Sequence, residues 1–368
     1  MLNDNHSSRR GFLEKAVLSG GALAITSQQT HAADTPKKSR KLKIGAIGVG
    51  EFSFWGYSWC DLLAPADKPF YKDTLGTNIF NMEVTHVWDR DPVKAQAFAD
   101  FMGAEVVKRY DSMVGKVDAV AFGGYYEVPW QYRLARPYIE AGIPTFLNRP
   151  FAFSLRDIDL LLDCIAKHGT PVMATDVYEH LYDATNLKSK LPNLGEISCA
   201  HGTCWGMDYN AHYHIKFMVP KIFGYEVESV SVLTDNPYQS KYLIGSWLMK
   251  GHQRQKPFLI SSTMNQGDLY SITVSGSKGI ETARMPWIEN WNRNLLGEHV
   301  SMMVDMQRTF EGHTYEPLDI IRKKTEIFLT GLYSATERGG TFVKVGEVPV
   351  KWRGPNPKSG WIDESIFS

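Results

Sequence analysis

The sequence predicts a two-domain α/β protein, with a doubly wound parallel sheet first and an α+β domain carrying a large, mostly antiparallel open sheet second. Three observations carry this expectation. Short apolar runs alternate with helical stretches through the first half, as strands joined by crossover helices do. The second half changes to strand-like runs joined directly by turns. The length, 368 residues, suits one large or two ordinary domains.

Taken in order, Lys41 to Ile47 reads as a short buried strand that runs into Gly48-Val49-Gly50-Glu51-Phe52-Ser53. Residues 61–81 look like a polar insertion. Met82 to Trp88 alternates as a second strand and ends at Asp89-Arg90-Asp91-Pro92, with a helix over Val93 to Met102. Val117 to Phe122 is a third strand ending at Gly123-Gly124. A helix from about Pro129 to Ala141 stops at Gly142, and Ile143 to Leu147 follows as a strand. Beyond these, Glu226 to Thr234, Pro257 to Met264 and Leu269 to Ser275 read as strands. Leu318 to Ala335 has helical periodicity up to Gly339-Gly340. No repeat, low-complexity segment or heptad interrupts this plan.

Composition narrows the function classes. The chain is 43% hydrophobic and 22% charged, ordinary for a globular protein. Lys+Arg and Asp+Glu balance at 40 each, so there is no basic excess to follow a nucleic-acid backbone. Ten Trp and 17 Tyr suit core packing, or stacking on the C–H faces of sugars. The four cysteines form no CxxC pair, and their spacing assigns no disulfide.

The first 40 residues read as an address and linker rather than fold. Ser8-Arg9-Arg10-Gly11-Phe12-Leu13 precedes a mildly apolar stretch, Ala16 to Thr26, and a small-residue site at Thr30-His31-Ala32. This resembles a twin-arginine export signal cleaved near Ala32, and the apolar stretch is too short for a stable membrane anchor. The expected location is periplasmic or otherwise exported, with the twin-arginine machinery as a partner. Such substrates cross the membrane folded, which suits a protein that acquires its cofactor beforehand.

The turn after the first strand has a mechanism. Gly48 permits the tight bend, Gly50 lets backbone approach a pyrophosphate, and the next helix N-terminus faces its charge. Asp89, ending the second strand, suits the adenosine ribose hydroxyls. The reading is a Rossmann-type dinucleotide-binding domain over 41–172. A substrate-binding domain takes 173–368, with its C-terminal segment able to return to the first. NAD is the expected cofactor, and Arg90 leaves NADP open. Gly48, Gly50, Glu51, Phe52, Asp89, Arg90, Gly123 and Asn148 are the cofactor candidates.

Along residues 41–345 the chain resembles the Gfo/Idh/MocA family of nicotinamide-dependent sugar oxidoreductases. Asp118-Ala119-Val120 and Glu140-Ala141-Gly142 sit where that family has its third strand and following helix. Leu194-Gly195-Glu196-Ile197 and Gly276-Ser277-Lys278-Gly279 match later turns. Asn210 to His214 has the spacing of the family's Asp-x-x-x-His, with Gly224 ten residues beyond. Two departures bear on chemistry. Asn148-Arg149-Pro150 replaces the family's Glu-Lys-Pro, and Asn210 replaces its carboxylate. The family lysine assists proton removal from a sugar hydroxyl, whereas an arginine stays protonated. His214 is then the remaining acid/base, with Arg149 and Asn210 polarising or positioning the substrate.

The resemblance implies a carbohydrate substrate. Tyr126, Trp130, Tyr178, His180, Trp205 and His212 are the candidates to face it. No metal is expected; the alternative set is Glu179, His180, His212 and His214. The functional expectation is an exported NAD(P)-dependent enzyme acting on a sugar, redox-neutral on a tightly held cofactor, including glycoside cleavage through a transient keto sugar. The alternative is a divergent non-redox member: a His- or metal-dependent carbohydrate lyase or hydrolase, or a sugar-binding protein. A homo-oligomer is expected. Changing Arg9 and Arg10 together to Lys should strand the protein in the cytoplasm, read by cell fractionation. Unchanged periplasmic delivery would overturn the leader reading.

Overall fold

The structure is a computed structural model. It describes residues 40–50, 53, 55, 59–63, 80–124, 127–205, 219–234, 245–251, 257–263, 269–286, 291–354 and 364–367. The twin-arginine leader, most of the 61–81 insertion, Glu51, Phe52, Tyr126, Asn210, His212 and His214 lie outside the described residues, as does the side chain of Trp205.

The first sheet is parallel and six-stranded. Its strands are β1 (Leu42–Ile47), β2 (Met82–Trp88), β3 (Glu105–Val106), β4 (Ala119–Phe122), β5 (Thr145–Asn148) and β6 (Val172–Thr175). Their spatial order is β3-β2-β1-β4-β5-β6, so the winding direction reverses between β1 and β4. In such sheets ligands bind beyond the carboxyl ends of the strands at this switch point. Short α1 (Cys60–Leu63) follows β1. The crossovers are α2 (Pro92–Met102), α3 (Gln131–Glu140) and α4 (Leu155–His168).

Local chemistry sets the helix ends. Asp91 caps α2, its Oδ1 accepting from Val93 N–H at 3.0 Å, and Pro92 supplies a preset first-turn φ. Ser154 caps α4 by accepting from Asp157 N–H at 3.0 Å, and Gly169 ends it at φ 64°. Strands β4, β5 and β6 are buried at every position, as a sheet covered on both faces requires, whereas β2 alternates. Trp55 and Trp59 are fully buried, edge to face at 5.0 Å, and Trp59 meets the Phe146 ring at 4.9 Å. These tryptophans are core.

The second sheet has seven strands: β7 (Ile197–Trp205), β8 (Val227–Thr234), β9 (Gly245–Gly251), β10 (Pro257–Thr263), β11 (Leu269–Gly276), β12 (Gly279–Pro286) and β13 (Val343–Lys344). Their order is β12-β11-β7-β10-β9-β8-β13. β10 pairs with β7 in parallel, and the other pairings are antiparallel. Helix α5 (Tyr182–Lys190) leads from the first sheet toward it, and α6 (Trp291–Phe310) and α7 (Leu318–Glu337) come after its hairpins.

The parallel sheet continues to Thr175, three residues past the expected boundary, because β6 pairs with β5 from Thr145↔Val172 to Asn148↔Thr175. Helix α7 lies on β8 and also meets α4, where Phe153 and Phe328 pack edge to face at 6.1 Å. The chain then returns to the first domain. Gly354 N–H donates to Phe153 O at 2.7 Å, and Arg353 donates to Pro129 O at 3.0 Å. Among the described residues no helix is long and apolar enough to cross a membrane.

Candidate active site

Five strand ends converge at the carboxyl edge of the parallel sheet. Gly48, Asp89, Gly123, Arg149 and Asp176 each follow one of them. Gly48 takes a left-handed φ of 70°, and a Cβ there would lie 2.8 Å from Gly124 Cα. Gly50 is different. A Cβ there would meet only the flexible Lys94 chain at 3.4 Å and Asp89 Oδ2 at 3.8 Å. Packing does not require glycine at 50. The open backbone there, as far as the described residues go, would admit the close approach of a dinucleotide's pyrophosphate.

Asp89 ties this turn to β2. Val49 and Gly50 N–H both donate to its Oδ2, at 2.8 and 3.1 Å, and Asp91 N–H donates to Oδ1 at 2.8 Å. Burial pushes its carboxyl above the usual range while the three amides oppose the shift. The carboxylate therefore sets the turn's shape as well as standing where ribose hydroxyls are expected. Arg90 Nε lies 3.9 Å from Glu127 Oε1, and its charge also acts on Asp89.

The second glycine turn is pinned from below. Buried Asn148 donates through Nδ2 to the carbonyls of Gly123 and Gly124, at 2.9 and 3.2 Å. Its own carbonyl accepts from Gln131 Nε2 at 2.7 Å, and its Oδ1 from Arg149 Nη1 at 3.0 Å. Gly123 has no room for a side chain, since its Cβ would lie 2.3 Å from Trp55 Cδ1. Asn148 thus acts as a clamp on the turn that carries Gly123. Trp130, also at this turn, is buried, and its indole N–H has no partner among the described residues.

Arg149 precedes Pro150, joined to it by a cis peptide bond, and is buried. Its Nε lies 2.7 Å from Oδ2 of Asp176, which is fully buried. Asp176 also begins a capping box: its Oδ1 accepts from Tyr178 N–H at 2.8 Å, and Glu179 Oε1 accepts from Asp176 N–H at 3.2 Å. Glu179 then turns Oε2 toward Lys324 Nζ of α7, 2.8 Å away. Lys324 is buried and also donates to Glu316 Oε1 at 2.8 Å. Burial works against its charge, but the two carboxylates outweigh burial and lift its pKa above the ordinary lysine value. Burial raises Glu316 to about 7, with Lys324 opposing and Glu179 adding to the rise.

His180 closes the cluster. Its Nδ1 lies 3.3 Å from Asp305 Oδ2 on α6, and its Nε2 is 3.1 Å from the Tyr315 hydroxyl and 3.2 Å from Thr175 Oγ1. Tyr315 stacks on the ring, with centroids 5.8 Å apart, and burial drives its hydroxyl far above the ordinary phenol range. Both ring nitrogens are engaged and Glu179 is bound to Lys324, while His212 and His214 of the alternative metal set lie outside the described residues. Tyr178 is buried beside Asp176.

The structure thus brings together Gly48, Gly50, Asp89, Gly123, Asn148, Arg149, Trp130, Tyr178 and His180 on one edge of the first sheet. Asp176, Tyr315, Glu316 and Lys324 are functional candidates that sequence reasoning missed. Two signals for them exist in the chain. Asp176-Val177-Tyr178-Glu179 has the spacing of a capping box. Lys324 falls between Ile321 and Phe328 on the apolar face of α7, where an unpaired charge would be untenable.

Comparison with known proteins agrees with this geometry. Residues 42–175 match the GFO_IDH_MocA family model, described as an oxidoreductase family with an NAD-binding Rossmann fold. No curated protein matches the sequence. Among solved structures, myo-inositol dehydrogenase from Lactobacillus casei, in complex with NAD(H) and myo-inositol, superposes with TM-score 0.67 at 13% identity, over 83% of this chain and 97% of that one. GenD2 from gentamicin A biosynthesis, in complex with NAD, gives 0.66 at 12% identity, over 87% and 99%. An oxidoreductase from Agrobacterium radiobacter, with NAD+, L-tartaric acid and magnesium, gives 0.63 at 16% identity, over 83% and 99%. At these identities the likeness is one of fold, and it spans both domains.

Two outcomes follow from the charge cluster. Asp176→Asn leaves the Arg149 charge buried without its counter-ion and should cost about 3–5 kcal/mol in urea unfolding, whereas the double change Arg149→Met with Asp176→Leu should recover most of it. Equal losses in both variants would show that the ion pair is not the cause. For Glu316 the pKa is raised on folding, so its contribution to stability is complete below its ordinary 4.5 and is lost as pH rises through about 7. Glu316→Gln should therefore flatten the fall in unfolding free energy across that window. An unchanged pH profile would overturn the assignment.

Proposed function

We propose that this protein is an exported NAD(P)-dependent enzyme acting on a sugar or sugar derivative, with redox-neutral chemistry on a tightly held cofactor. The observation that carries the cofactor is Gly50, a glycine that packing does not require, at the switch point of the parallel sheet and beside Asp89. Gly48, Gly50, Glu51 and Phe52 would line the pyrophosphate, Asp89 and Arg90 the adenosine ribose, and Gly123 and Asn148 the turn beneath the nicotinamide half. When bound, the nicotinamide supplies a reversible hydride acceptor. The inositol-bound relative supports a polyhydroxylated ring as substrate.

The chain's own residues divide the remaining work. Arg149 stays charged at any accessible pH, and Asp176 fixes its guanidinium, so its role is electrostatic. Proton transfer falls to His214, with Asn210 as a neutral positioning group. Trp130, Tyr178, His180, Tyr126, Trp205 and His212 would shape the substrate side. His180 and Tyr315 give that side a hydrogen-bonded connection to Asp305, which is partly exposed. An exported enzyme meets no free nicotinamide pool, so a held cofactor must be restored within each turnover.

The Arg149–Asp176 pair also favours a second reading: a non-redox lyase, hydrolase or sugar-binding protein built on the same fold. One measurement separates the two. Protein purified from the exported fraction is unfolded, and the released supernatant is assayed for NAD(H) and NADP(H) by enzymatic cycling. Near-stoichiometric NAD(H) from the wild type and none from Gly50→Val supports the enzyme reading. Absence of dinucleotide from the wild type, with no binding on refolding in its presence, would overturn it.

A further inference from the structure

On the opposite edge of the parallel sheet from the candidate active site, three metal-ligating side chains meet. Glu140 is the last residue of α3, and Cys164 and His168 lie one turn apart on the last two turns of α4. The carboxylate oxygen, the thiol sulfur and an imidazole nitrogen all lie within 4.8 Å of one another. Among the described residues no other set of three such donors comes so close. We propose that Glu140, Cys164 and His168 bind one zinc(II) ion, which clips α3 to α4.

The surroundings suit a cation. Both helices end here, α3 before Ala141-Gly142 and α4 at Gly169, and helix carboxyl ends carry partial negative charge. Cys164 is half-buried, and burial followed by the Glu140 charge holds its thiol above the ordinary value. A metal that displaces the thiol proton removes that penalty. Arg136 already draws on the same negative spot, donating to Glu140 Oε1 at 2.7 Å, and the carboxylate has a second oxygen to offer.

A mixed thiolate, imidazole and carboxylate set is the donor chemistry of zinc, with water as fourth ligand. Zinc bonds of about 2.0–2.3 Å bring neighbouring donors to within roughly 3.5–4 Å. Glu140 and His168 are exposed, so their side chains have the freedom to close the remaining gap, on the order of 1 Å. The glycine turns and Arg149 sit at the other ends of the same strands. The ion would therefore brace the scaffold and take no part in substrate chemistry.

The full chain, stripped with chelator and reduced, is titrated with Zn2+ by calorimetry and with Co2+ by absorbance. The expected result is one equivalent bound, with a thiolate-to-cobalt charge-transfer band and the intense visible bands of tetrahedral cobalt. Cys164→Ser should abolish the charge-transfer band, and Cys164→Ser and His168→Ala should each weaken Zn2+ by at least roughly 100-fold. Zn2+ should raise the melting temperature of the wild type and leave both variants, folded as judged by circular dichroism in chelator, unmoved. No stoichiometric uptake by the wild type overturns the site. So does uptake of one equivalent by the Cys164→Ser/His168→Ala double variant, which would place the ion on other residues.

Discussion

The capping box at the end of β6 is the constraint on which the rest of the candidate site depends. A tight turn after a buried strand leaves amide groups needing acceptors, and Asp176 and Glu179 each give one oxygen to that need. Each then has a second oxygen pointing into a water-poor interior. Asp176 directs its own at Arg149, from the first domain, and Glu179 directs its own at Lys324, from the helix that lies on the second sheet. Four buried charges are thereby neutralised in pairs by one short turn. Removing Asp176 leaves Arg149 without this counter-ion, whereas Lys324 keeps Glu316 when Glu179 is lost, and together the pairs tie the two domains to each other.

The same logic of shared groups runs through the glycine turns. Asn148 spends both hydrogens of its amide on two successive carbonyls and its oxygen on Arg149. The turn that lies over the end of β4 and the arginine that follows β5 are consequently one hydrogen-bonded unit. Asp89 does for the first turn what Asn148 does for the second. Gly123 and Gly48 are demanded by contacts within the protein, Gly50 by none of them. A ligand contact remains as the physical reason for that residue.

How far this was legible in the sequence follows from the range of each interaction. β2 was readable to the residue, because its alternation and its closing Asp-Arg-Asp-Pro are local signals. The start of α7 at Leu318 was equally local, and its end at Glu337 lies two residues beyond the expected Ala335. The position of Arg149 as a departure from Glu-Lys-Pro was visible, but its partner was not. Asp176 lies 27 residues further on, and only the pairing of β6 beside β5 brings the two together. Lys324 and Glu316 are farther still along the chain and meet Glu179 through the docking of α7. Pairings set by tertiary contact leave no periodic trace, so they appear in sequence only as anomalies: a capping-box spacing before a helix that barely forms, or a lysine on an apolar face.

The replacement of lysine by arginine gains meaning in this setting. A buried lysine can surrender its proton when its neighbourhood favours the neutral form, and that is what makes it useful as a base. At Lys324 the two carboxylates do the opposite and lock the charge in place. At position 149 the guanidinium achieves the same end more completely, since it holds its proton whatever surrounds it. The interior of this site therefore pairs Arg149 and Lys324 with buried carboxylates, of which burial pushes Glu316 up to about 7. An arginine that holds its proton cannot serve as the base, and under the proposed function that step falls to His214.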